Sequence, residues 1–169
     1  GGVPAKNFTF SLWTKKSSNP NWKDVCGFSD SSHQFKLEEN ANGNLNVYGT
    51  NHGLNTEEEP KFIPAANFSA SELQLLTVVQ EEGTVKGYIN GELKMTTLES
   101  TVWTNLKSDT ATMTYFAWGC SPTTSGSTDR PFSISAADVR IYNVALSAEQ
   151  VKAAYDAYEA SMERKVFTL

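Results

Sequence analysis

The chain has 169 residues, of which 39% are hydrophobic and 20% charged, a balance that buries a core and excludes a disordered segment. Its 14 Lys and Arg against 19 Asp and Glu leave a net charge of −5. The basic residues are scattered, which excludes the clustered positive groove that nucleic acid requires. No apolar run is long enough to cross a bilayer as a helix, so no membrane insertion by this segment is expected.

The opening "GGVPAKNFTF" lacks the apolar stretch of a signal peptide. Gly1 and Gly2 read as a cloning remnant, so residues 1–169 are expected to be one domain cut from a longer protein. "FTFSLWTKK" (8–16) alternates Phe8, Phe10 and Leu12 against Thr9, Ser11 and Trp13, the period of a strand with one apolar face. A turn cluster, "SSNPNW" (17–22), separates it from a short strand at 24–29. Strands at 33–39 and 44–49 flank Asn42-Gly43, a hairpin signal because both residues tolerate positive φ.

Residues 50–66 hold two prolines and three consecutive glutamates without a period and read as a long exposed loop. "ELQLLTVVQ" (72–80) is more continuously apolar and is expected to be a buried strand. It turns at "EEGT" into a strand at 85–90, which turns at Asn90-Gly91 into another at 92–98. "ATMTYFAWGC" (111–120) is rich in β-branched and aromatic residues and predicts one strand, with Trp13 and Trp118 expected in the core. A low-complexity loop (121–131) precedes one or two strands over 132–143.

The one confident helix comes last. Ser147 is a candidate N-cap with Gln150 three residues on, a capping box, and Leu146 with Val151 fits a hydrophobic staple. Val151, Ala154, Tyr155, Tyr158 and Met162 share one helical face, expected to lie against the rim of a sandwich and close its core. "KVFTL" (165–169) has strand character and is read as able to return to a sheet edge. The two cysteines, Cys26 and Cys120, lie in no metal-ligand spacing; two reduced thiols or one disulfide both fit.

"FTFSLWTK", "TVKGYINGELK" and above all "ADVRIYNVALSAEQV" resemble, in this order, the concanavalin A-like lectin/glucanase superfamily, in its laminin-G-like and pentraxin-like branch. The resemblance implies an all-β, antiparallel jelly-roll β-sandwich with a short C-terminal α-helix. It also implies a non-catalytic carbohydrate-binding module of an extracellular or cell-surface protein, with a glycan or a surface protein as partner. Asp138 and Arg140 then read as architecture rather than as a catalytic pair.

Glucan hydrolases of the wider superfamily carry two carboxylates at close spacing on one strand. No Glu here is followed two residues later by Asp; Glu38-Glu39 are adjacent and point to opposite faces, so no catalytic residue is expected. The resemblance brings Ca²⁺ as the one cofactor to consider, at the loops holding Asp30 and Asp129, although Asp129 is the only carboxylate of its loop. A sugar surface needs an exposed aromatic with polar companions. Trp22, in a polar turn, is the expected platform, and Asp30, His52, Asp129 and Arg130, all in loops, are the expected companions. A structural or protein-interaction domain without a sugar site is the alternative, and a glycan-degrading hydrolase a more distant one.

Overall fold

The computed structural model describes residues 2–4, 6–19, 23–30, 33–51, 63–82, 84–96, 112–122, 128–129 and 135–166. Trp22, His52, Trp103 and Arg130 lie outside them.

Two antiparallel sheets face one another. The first takes β2 (Asn7–Thr14), β6 (Gln74–Glu81), β7 (Thr84–Ile89), β8 (Glu92–Thr96) and β13 (Ala136–Tyr142), in the order β13-β2-β6-β7-β8. The second takes β3 (Lys23–Ser29), β4 (His33–Glu39), β5 (Leu45–Asn51) and β10 (Tyr115–Trp118), in the order β10-β3-β4-β5. Two small ladders complete the described strands: β1 (Val3–Pro4) with β9 (Thr112–Met113), and β11 (Ser121–Pro122) with β12 (Thr128–Asp129). A 3-10 turn at Ala65–Asn67 follows the bridge between Leu45 and Ile63.

The period-2 pattern sets the core. Phe8, Phe10 and Leu12 of β2 meet Cys26 and Phe28 of β3 and Phe35 and Leu37 of β4, all fully or almost fully buried. The Phe8 ring stands 4.8 Å edge-on from Phe35 and 5.2 Å from Phe28. Gly87 on β7 lets Ile63 close in, since a Cβ there would stand 2.8 Å from the Ile63 Cδ1.

The Asn90-Gly91 turn forms as expected, with φ of 53° and 78°. At the other hairpin only Gly43 takes a positive φ, and Asn40 organises the loop by accepting from the amides of Asn42 and Asn44. The strand expected over 111–120 is two short strands, because Met113 pairs with Val3 whereas Tyr115 turns to pair with Ser29. The loop expected over 121–131 carries the β11–β12 ladder.

The helix α1 (Ala148–Val166) differs from expectation in place. Its capping box forms: the Ser147 amide donates to Gln150 Oε1 at 2.8 Å, and the Gln150 amide donates to Ser147 Oγ at 3.3 Å. Yet it lies on the outer face of the five-stranded sheet, where Val151 joins Val79 and Tyr88 in a second apolar cluster with Ala145 and Leu146. Trp13, also on that outer face, packs its ring 4.3 Å from Tyr158 rather than in the core between the sheets. Thr9 pins the approach: its hydroxyl donates to Val144 O and accepts from the Leu146 amide, each at 2.9 Å. The chain stays helical through Val166, so "KVFTL" begins as helix, and residues 167–169 lie outside the described residues.

Gln80 faces inward from β6, opposite Phe8 and Val85, fully buried, and neither atom of its amide has a hydrogen-bond partner among the described residues. A buried polar group without partners carries its full desolvation cost. Gln80→Met is therefore expected to stabilise the fold by about 1–2 kcal/mol in urea unfolding with an unchanged m-value.

Glu39 is likewise buried; its Oε2 accepts from the Ser17 amide at 3.0 Å. Burial raises its pKa, against the opposing pull of Ser17 and Lys16. The folded state thus holds the proton more tightly, and stability is lost as pH rises through the raised value. Glu39→Gln keeps an acceptor for Ser17 and is expected to raise Tm at pH 7 but not at pH 4, which thermal melts at the two pH values check.

Candidate functional site

The outer face of the four-stranded sheet is built by register. With Cys26, Phe28, Phe35 and Leu37 turned to the core, Gly27, Ser29, Gln34, Lys36 and Glu38 turn outward. A bulge between Asp24 and Cys26 brings Asp24 outward beside Glu38, which in turn stands opposite Asn46 on β5. On β10, Tyr115 and Ala117 belong to this outer face, since they pair with Ser29 and Gly27.

Three rows of side chains therefore cross the face. Tyr115, Ser29 and Gln34 form one, and Asp24, Glu38 and Asn46 another. Between them Ala117 and Gly27 carry almost no side chain beside Lys36, with Gly27 buried and Ala117 half-buried. Tyr115, 45% exposed, stands at one rim. The opposite rim is charged yet buried: Asp24, Glu38 and Asn46 are nearly inaccessible, and the short strand β11 lies against β3 and β4.

Lys36 holds this rim together. Its Nζ lies 3.2 Å from Asp24 Oδ1 and 3.3 Å from Glu38 Oε2. Burial raises the Glu38 pKa; Lys36 pulls it down, and the neighbouring Asp24 pushes it up again. Burial and then Asp24 also raise the Cys120 thiol, so Cys120 belongs to the same surroundings. Both cysteines are free, with Cys26 buried in the core.

Of the loop residues expected from sequence, Asp30 follows β3 at its Ser29 end and is half-buried. Asp129 lies on β12 opposite Ser121, just beyond the Trp118 end of β10. Tyr115 pairs with Ser29 and Trp118 with Cys26, so the two aspartates attach at opposite ends of the β3–β10 ladder. Among the described residues no three His, Cys, Asp or Glu side chains converge as metal ligands. Asp138 serves structure, as expected: it sits at a bulge of β13 with φ 45° and accepts from Arg140 at 3.0 and 2.7 Å.

A second feature lies where the edge strands β10 and β13 approach. A cleft of about 400 Å³, floored by Phe28 and Met113, opens between Phe116 and Ile141. Trp118, expected in the core, is 55% exposed on this side, with Phe116 38% and Ile141 42% exposed. All three sit on the core side of their strands, because they pair with Cys26, Phe28 and Phe10. Among the described residues no charged side chain lines the cleft.

Two facing antiparallel sheets and this closing strand and helix define a concanavalin A-like jelly-roll sandwich. The sequence profile of the Laminin_G_3 family, in the concanavalin A-like lectin/glucanase superfamily, matches residues 1–152, and the chain belongs to that family. No curated protein matches it in sequence.

Solved structures share the fold at low identity. The CBM40 of the Ruminococcus gnavus IT-sialidase, bound to α2,3 sialyllactose, superposes with a TM-score of 0.64 at 18% identity, over 89% of this chain and 83% of that one. The leech intramolecular trans-sialidase, complexed with 2,7-anhydro-Neu5Ac, gives 0.63 at 16% identity, over 88% of this chain and 23% of that one. The botulinum neurotoxin serotype D binding domain gives 0.59 at 18% identity, over 90% and 36%.

Proposed function

We propose that the chain is a non-catalytic carbohydrate-binding module of an exported or surface protein, and that a sugar ring lies against the outer face of the four-stranded sheet beside Tyr115 and Ala117. The observation that carries the reading is the exposed Tyr115 beside the small, half-buried Ala117, on a face where Lys36 is held by Asp24 and Glu38. An aromatic face suits the C–H side of a pyranose, and the partly exposed polar side chains of Gln34 and Lys36 on the same face suit its hydroxyls. A rim already fixed by the Lys36 ion pairs loses little side-chain entropy when the sugar arrives. The sialyllactose held by the Ruminococcus gnavus CBM40, on the same fold, supports a glycan ligand.

Ala117→Leu places a larger side chain on this face from an edge strand without touching the core, and is expected to abolish glycan binding while leaving Tm unchanged. Tyr115→Ala is expected to weaken binding about three- to tenfold, the share of one stacked ring. Trp118→Ser, on the opposite face of β10, is expected to leave binding unchanged. Isothermal titration with a glycan selected on an array checks all three. Retained binding in Ala117→Leu would overturn the placement.

A further inference from the structure

We propose that the glycan taken by this face is linked to an alkyl chain, as in a glycolipid, and that the cleft between β10 and β13 holds the first carbons of that chain. The inference rests on the glycan-binding reading above and narrows its class of ligand. Tyr115 joins the two places: it stands on the outer face beside Ala117, and it also lines the cleft. A sugar stacked on Tyr115 therefore ends where the cleft begins.

The cleft suits a hydrocarbon. Its volume of about 400 Å³ falls within the range of ligand pockets and far exceeds what a single acetyl methyl would fill. Phe28 and Met113, both almost wholly buried, make an apolar floor, and the Phe116 ring stands 5.0 Å from that of Phe28. Phe116 and Ile141 sit on the core side of their strands yet meet solvent, each on a strand at the end of its sheet. A chain laid between them takes this apolar surface out of water, and each fully buried CH₂ strengthens binding up to about fourfold. A flexible chain also adapts to a slot between two strand edges, as the unbranched Met113 at its floor does.

The test titrates the protein with methyl, butyl, hexyl and octyl glycosides of one array-selected sugar, each below its micelle-forming concentration. Binding is expected to strengthen about two- to fourfold with each added CH₂ until the cleft is filled. Ile141→Asp, with its fold checked by thermal melting, is expected to flatten the series while leaving the methyl glycoside bound as before. A flat series in the unmodified protein overturns the inference and leaves the glycan reading standing. Octanol bound as tightly as the octyl glycoside overturns it too, since the cleft would then serve a lipid without the sugar. So does a dimer in solution that Ile141→Asp dissociates, which would assign the cleft to a second copy. Folded protein that binds no glycan on the array sinks the underlying reading, and the inference with it.

Discussion

Lys36→Met is expected to destabilise the protein by about 3–5 kcal/mol at pH 7, more than any other single change on the sheet surface. The substitution roughly preserves the volume of the stem but removes a positive charge 3.2 Å from Asp24 and 3.3 Å from Glu38, both almost wholly buried. The two buried carboxylates then lose that compensation. Since small folded proteins are stable by only about 5–15 kcal/mol, the variant should stand near the edge of unfolding.

The effect has a pH signature. Glu38 already holds its proton more tightly in the folded state, and losing Lys36 raises its pKa further. Stability is then fully present below the ordinary carboxyl range and is lost as pH rises through the raised value. The deficit of Lys36→Met should accordingly shrink toward pH 4, as urea titrations at several pH values would show. The triple change Asp24→Asn, Lys36→Met, Glu38→Gln, which removes all three charges, should recover most of the loss. A pH-independent deficit would mean that the stem of Lys36, not its charge, does the stabilising.

Phe8→Ala is expected to cost about 3–5 kcal/mol, the loss of apolar transfer plus the cavity left behind. Phe8 is fully buried, and its ring touches Phe28 and Phe35 on the facing sheet, so it is one of the contacts that hold the two layers together. The neighbouring rings are held by their own contacts, Phe10 lying 5.6 Å from Phe28 and 6.2 Å from Phe35, which limits collapse into the void. Phe8→Leu should cost markedly less, because it leaves a smaller cavity. Guanidinium unfolding of the two variants measures the difference. Equal small losses would place Phe8 outside the packed centre.

These residues differ in how openly the sequence displays them. Phe8, Phe10 and Leu12 announce a core face by alternation alone, and the capping box at Ser147 announces the helix start. The location of the helix was also signalled, though indirectly. "LLTVV" on β6 is apolar on both faces, and a strand buried twice needs a cover on its outer side, which Val151 and the Trp13–Tyr158 contact provide.

The candidate site was far less legible. Lys36 and Glu38, two apart on β4, read as ordinary solvent-facing charges, and Asp24 stands a strand away. Only the cross-strand register, together with the bulge after Asp24, brings the three into contact, and register depends on pairings distant in sequence. Composition favoured the loop residues Trp22, Asp30, His52, Asp129 and Arg130 because exposed polar loops so often carry function. The two small residues beside Tyr115, Ala117 and Gly27, attract no notice until the register sets them side by side.

The central claim, that the outer face of the four-stranded sheet holds the sugar, is tested most directly by amide shift mapping. Isotope-labelled protein would be titrated with an array-selected glycan, once with calcium and once with chelator. The expected shifts centre on Gly27, Lys36, Glu38, Tyr115 and Ala117, and are the same in both conditions. Shifts confined to the loops of Trp22, His52 and Arg130, or shifts that vanish with chelator, would contradict the account and move the site to the loop end of the sandwich.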